Sequence, residues 1–167
     1  MSSTQVTLIP GIDNPDNHKV TVNRKAAELS ELIKSMLTED DEDENPEIPL
    51  LQVSKRALDK IVEFMNKHES DPMRQITKPV STGNMVEIVG EWDANYIDVP
   101  QAQLLELTYA ADYLDMPALL DLTTLKMASL LKGKTEDQTR ELFGIKQIKT
   151  PEEEKRIIKE NPWLFAS

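Results

Sequence analysis

VPQAQLLELTYAADYLDMPALLDLTTLKMASLLKGK, residues 99–134, is the stretch whose reading decides the fold. It holds two apolar helical patterns joined at Asp115-Met116-Pro117. In the first, Leu104, Leu105, Leu107, Thr108, Ala111 and Leu114 leave little of the cylinder polar, which predicts burial on most sides. In the second, Leu119, Leu120, Leu122, Leu125, Ala128, Leu130 and Leu131 predict the same. Pro117 suits a first helical turn, where its missing N–H is not needed and its φ is already set. Gly133 suits the C′ position that closes the second helix.

Two shorter helices follow, each with a start signal. Thr135-Glu136-Asp137-Gln138 is a capping box, in which Thr and Gln side chains satisfy each other's free backbone N–H groups. Thr150-Pro151-Glu152-Glu153 adds Pro at the first position and acids against the helix dipole. The large apolar residues after Thr135 are few, among them Leu142, Phe143, Ile145, Ile158 and Trp163. Helices this sparse bury too little to form a separate core, so they require another surface. Phe143 and Trp163 either pack on the protein's own body or on a partner, and periodicity leaves both open.

The chain of 167 residues predicts one domain plus an extension, and 39% hydrophobic residues suffice for a core. There is no run of 18 apolar residues and no signal-peptide pattern, from which an intracellular protein of cytoplasm and nucleus is expected, away from membranes. With no cysteine, disulfides, thiolate metal sites and thiol catalysis are all excluded. Charge is unevenly placed. Residues 1–131 carry 11 basic and 23 acidic side chains, net −12, whereas 132–167 carry 8 and 7. Such a body repels nucleic acid and favours basic or mixed-charge protein partners.

Outward toward the N-terminus, Gln5–Ile9 reads as a strand stopped by Pro10-Gly11 and the Asp13–Asn17 turn. Lys19–Val22 should pair with it as a hairpin. From Arg24 the period becomes helical through Leu29, Leu32, Ile33, Met36 and Leu37. Residues 39–47 hold 7 acids in nine positions, a solvated loop without the Gly and terminal Glu spacing of a calcium-binding hand. Ile48–Leu51 predicts a third strand ending before Val53-Ser54, and Ser54 a cap for the helix bearing Leu58, Ile61, Val62 and Met65. Residues 73–98 read as a long insertion, with Met85–Val89 open between an added strand and a loop. The pattern is a small sheet covered by helices, α+β, with a helical appendage: 1–131 and 132–167.

No catalytic constellation stands out. His18 and His68 lie in a turn and at a helix end without a nucleophile at meaningful spacing, and the five glycines are scattered singly rather than forming a phosphate loop. A non-enzyme without cofactor or metal is expected.

Several segments together resemble one family. They are LIKSML (32–37), Ile48–Leu51 with LDKIVEFMNKHESDP (58–72), Glu91-Trp92-Asp93 and LELTYAADYLDMPALLD (105–121). LKGKT (131–135), RELFGIK (140–146) and PEEEKRIIKENPW (151–163) follow in order. The chain resembles the S-phase-kinase-associated adaptor family (the Skp family), which links F-box proteins to a cullin in SCF ubiquitin ligases. The helix pair alone is shared with other BTB/POZ proteins, whereas the KGKT, F-x-I and KEN-x-W series is specific to this family. An elongin C-like relative would end without that tail.

The resemblance implies a BTB/POZ domain, a three-stranded sheet covered by helices, with C-terminal helices that grip an F-box. It implies an F-box-facing set of Met127, Leu131, Leu142, Phe143, Ile145 and Trp163, and a cullin-facing pair, Asp112 and Tyr113. Pro151 stands where some protist members carry a hydroxylated, glycosylated proline. The implied role is a non-catalytic adaptor between a cullin scaffold and F-box proteins. The alternative is a structural subunit of an F-box assembly without a ligase, and self-association as a homodimer when no F-box is present. Departures from the family pattern are Asp112 and Gly144 where Asn is usual, Thr139 at an aliphatic position and Pro162 before the tryptophan.

Overall fold

The computed structural model describes residues 5–37, 45–80, 82–145 and 150–160, and divides the chain into two compact units, Met1–Leu130 and Leu131–Ser167. Most of the acidic 39–47 run, the segment 146–149 and Trp163 lie outside the described residues.

The first unit is built on a sheet of three strands: β1 (Gln5–Ile12), β2 (Val20–Asn23) and β3 (Glu47–Ser54), in the order β2-β1-β3. β1 pairs antiparallel with β2, Leu8 opposite Val20, and parallel with β3, Leu8 opposite Ile48. Val6, Leu8, Val22, Ile48 and Leu50 point to the core, as a period of two requires. Two strands run further than their sequence suggests. β1 continues through Pro10-Gly11 to Ile12, because Gly11 takes up a register shift against β3 where a Cβ would lie 2.5 Å from Leu51 Cα. β3 continues through Val53 to Ser54 instead of ending at Leu51.

From the far edge the chain crosses over the sheet through α1 (Arg24–Ala27) and α2 (Glu31–Met36), two short helices where the sequence reads as one. The break is Ser30, wholly buried and held in an extended conformation. Its Oγ accepts the Ile33 N–H at 3.1 Å and its hydroxyl donates to the Leu114 carbonyl. After β3, Ser54 caps α3 (Lys55–His68) by accepting from the Ala57 N–H at 3.1 Å. One face of α3, including Leu58, Ile61, Phe64 and Met65, packs on the sheet and on α6 (Gln101–Tyr113).

The insertion corrects the sequence reading. Met85–Val89 forms a helix, α4, neither the strand nor the loop its sequence left open. Asn84 caps it by accepting from Val86 N–H at 3.1 Å, and Met85, Ile88 and Val89 turn inward at helical spacing. Tertiary burial at that spacing overrides the β-branched run. Gly90 (φ +99°) reverses the chain into α5 (Glu91–Tyr96). Trp92 stacks on Tyr96 at 5.0 Å, the Tyr96 hydroxyl donates to the Lys60 carbonyl at 2.8 Å, and Asp93 Oδ1 lies 2.9 Å from His68 Nε2. Burial holds the Tyr96 phenol protonated, far above its ordinary range.

α6 ends in a Schellman motif: Asp115 is left-handed (φ +49°), its N–H reaches Asp112 O at 3.1 Å, and Met116 N–H reaches Ala111 O at 3.0 Å. α7 (Pro117–Leu131) starts on Pro117, as its sequence predicts. It is not uniformly buried, however. Leu119, Leu122 and Thr123 are core, whereas Leu125, Met127, Leu130 and Leu131 are only partly buried and Ala128 is exposed. In the second unit, α8 (Glu136–Leu142) opens on the expected Thr135–Gln138 capping box, and α9 (Pro151–Glu160) begins on Pro151.

Replacing Ser30 by Ala removes both an N-cap acceptor and the donor to Leu114. Ser30→Ala should lower the unfolding free energy by about 2 kcal/mol in urea denaturation, and a change under about 0.5 kcal/mol would show that the junction does not depend on this hydroxyl.

Candidate partner-binding surfaces

The residues expected to face an F-box sit on two stretches. Met127 and Leu131 are one turn apart on the last part of α7, the half the core leaves partly uncovered. Leu142 ends α8, Phe143 is its C-cap, and Ile145 follows at 52% exposure. The backbone at this second stretch is held by another Schellman motif: Gly144 N–H reaches Glu141 O at 3.2 Å, and Ile145 N–H reaches Arg140 O at 2.9 Å. Gly144 is left-handed (φ +61°), and among the described residues nothing lies within 4 Å of a Cβ there. Its departure from the usual Asn is therefore conservative in backbone terms, because Gly and Asn are the residues that adopt this conformation readily. The sixth member of the set, Trp163, lies outside the described residues.

Asp112 and Tyr113 close α6. Asp112 is exposed; Tyr113 rests partly against the core. Sequence reasoning missed their neighbour Tyr109, which stands 74% exposed three and four residues earlier on the same helical face. Its signal was an aromatic side chain at a position the apolar stripe does not use. Pro151, exposed at the start of α9, leaves its ring open to solvent.

Two polar clusters set α6 in place. Ser54, besides capping α3, donates to the Glu106 carboxylate, and Arg56 Nε donates to the same carboxylate at 2.9 Å. Partial burial works against the charged form of Glu106. The hydrogen bonds from Ser54 and Arg56 and the Arg56 charge outweigh it and hold the carboxyl below its ordinary value. At the other end, Leu114 and Asp115 carbonyls receive Leu32 N–H and Glu31 N–H at 3.3 and 3.1 Å. These contacts hold the exposed Tyr109–Tyr113 face on a rigid support.

Among the described residues no three His, Asp or Glu side chains converge on a metal position, and no helix is long and apolar enough to cross a membrane. His18 pairs with Asp59 at 3.1 Å on the surface, and His68 is tied to Asp93 and to the Asp71 carbonyl.

Two predictions arise from this geometry. A carboxyl held low contributes stability that is present above its ordinary value of 4.5 and lost as pH falls through the lower folded value. Glu106→Gln should therefore flatten the acid side of the stability–pH curve in thermal melts between about pH 6 and pH 3; an unchanged acid limb would contradict it. At the end of α8, Gly144→Asn should leave the melt nearly unchanged, whereas Gly144→Val should cost about 1–2 kcal/mol. Equal melts for the two variants would remove the left-handed cap from the account.

The chain is similar in sequence to known proteins along nearly its whole length. Residues 12–70 match the Skp1 family tetramerisation domain and residues 117–164 the Skp1 family dimerisation domain. It is 42% identical over 166 residues to an S-phase kinase-associated protein 1 homolog of Tetrahymena thermophila, covering 96% of this chain and 94% of that one. It is 37% identical to the E3 ubiquitin ligase complex SCF subunit sconC of Arthroderma benhamiae, covering 98% of each. A Skp1-related protein of Caenorhabditis elegans is 37% identical, covering 91% of this chain and 89% of that one. On these matches, which span nearly its whole length, the chain belongs to the Skp1 family.

Proposed function

We propose that this protein is the non-catalytic adaptor subunit of an SCF-type cullin-RING ubiquitin ligase, bridging the N-terminal region of a cullin to F-box substrate receptors. The full-length likeness to a protein named as an SCF subunit carries this reading. Two features support it. Met127 and Leu131, only partly buried on the later part of α7, suit an amphipathic partner helix, and in the second unit Phe143 and the exposed Ile145 offer apolar side chains of their own. A rigidly supported pair of tyrosines, Tyr109 and Tyr113, beside Asp112 suits a second partner, since exposed aromatic side chains are preferred interface anchors.

The role is geometric. The adaptor holds a receptor and its substrate near a ubiquitin-conjugating enzyme and performs no bond chemistry itself. Each interface should be of standard size or larger, about 1,600 Å² in total.

The test is binding of the full chain to an F-box protein and, separately, to a cullin N-terminal domain, with Tyr113→Lys beside the native protein. A ternary complex that loses the cullin but keeps the F-box on Tyr113→Lys is the expected result. F-box binding without any cullin would instead mean a structural subunit of a non-ligase assembly. Binding to neither, with the native chain a stable homodimer, would overturn the adaptor reading.

A further inference from the structure

A groove in the first unit opens between α1, α2, the end of α3 and the start of α7, enclosing about 340 Å³. Its floor is Phe64, Met116 and Leu119, none more than 2% exposed. Leu29 and Met73, both partly exposed, and the outward Pro117 form its walls. This is the volume range of sites that take small ligands or a partner's apolar side chains. The thioethers of Met73 and Met116 let such a surface adapt its shape.

Charge selects the occupant. Glu28, Glu31 and Glu69 stand at the groove from three different elements, and among the described residues no Lys or Arg lines it. His68 is also there, but its two ring nitrogens face Asp71 O and Asp93 Oδ1. Glu28 and Glu31 pair with Arg24 and Lys34 on the surface at 3.1 and 3.4 Å, while Glu69 accepts from the Asn23 amide at 3.2 Å. Exposed pairs of that kind are worth only about 0–1 kcal/mol, so an incoming cation can compete for the carboxylates. The strongly acidic body around the groove adds a field of the same sign. Carboxylates spread around an apolar floor match several separate cations on one backbone better than a single charged headgroup.

We propose that this groove docks a short protein segment carrying one or two large apolar side chains flanked by Lys or Arg. The apolar side chains enter against Phe64, Met116 and Leu119, and the flanking cations meet Glu28, Glu31 and Glu69. The surface uses none of Asp112, Tyr113, Met127, Phe143 or Ile145, so it stands independently of the adaptor reading.

The experiment titrates the full chain, labelled with ¹³C at its methionine methyls, with an acetylated and amidated Lys-Arg-Leu-Ala-Ala-Leu-Arg-Lys peptide. Two control peptides replace the four basic residues by Glu, or both leucines by Ala. The Met73 and Met116 methyl resonances should shift while Met127 stays in place. Affinity should fall at least about tenfold for each control peptide, and equally for Met73→Asp and for Glu69→Lys with the basic peptide. Melting curves establish that each variant is folded, and if one is not, the other variant and the control peptides decide. Unmoved Met73 and Met116 resonances, binding of the glutamate peptide at equal strength, or full affinity in a folded variant would each overturn the proposal.

Discussion

Three backbone amides at the start of α2 find their acceptors at Ser30 and at the last carbonyls of α6, and the first unit depends on that junction. A helix start leaves free N–H groups and a helix end leaves free C=O groups, each costly to bury alone. Here Glu31 and Leu32 donate to Asp115 and Leu114, while Ile33 donates to Ser30 Oγ, whose own proton goes to Leu114. Two helix termini 84 residues apart in the chain satisfy one another in the interior. The arrangement works only if α6 stops where it does, and the left-handed Asp115 stops it. Through this junction the crossover helices, the sheet and the α6–α7 pair become a single core.

The same economy recurs at α3. Ser54 ends β3, caps α3 and donates to Glu106, so one hydroxyl links a strand, a helix and the helix that carries the tyrosine face. At the other end of α3, His68 joins Asp93 and meets the Trp92 ring edge-on, while Tyr96 lies against Phe64 and under the Lys60 ammonium. The insertion is thereby seated on the core by aromatic and buried polar contacts rather than by added strand pairing. Rigid seating of this kind is what lets side chains such as the exposed Tyr109 and the half-buried Tyr113 keep a fixed presentation.

Burial along α7 is uneven. Leu119 and Leu122 complete the core; Met127 and Leu131 retain solvent-facing apolar surface. The second unit repeats the theme on a smaller scale: Gly144 turns the chain so that Phe143 and Ile145 follow α8 in a held geometry.

Local rules were enough for much of this. The helix pair with its break before Pro117, the caps at Ser54 and Thr135, the start at Pro151 and the alternation of Ile48 and Leu50 all rest on interactions within a few residues, so the sequence alone determined them. The family was legible as well, because its tail motifs are short and specific. Along α7 the apolar positions could be listed from the sequence, but not which of the leucines around Met127 the core would claim. That depends on how far α7 extends beyond the layer it covers, a long-range property. Ser30 looked like an ordinary helix residue because its partner, Leu114, is distant in sequence. Met85–Val89 was open between strand and loop, its β-branched residues favouring a strand, until burial at spacing three and four decided for a helix. The tertiary structure alone decided these points, since each turns on which distant surface a residue meets.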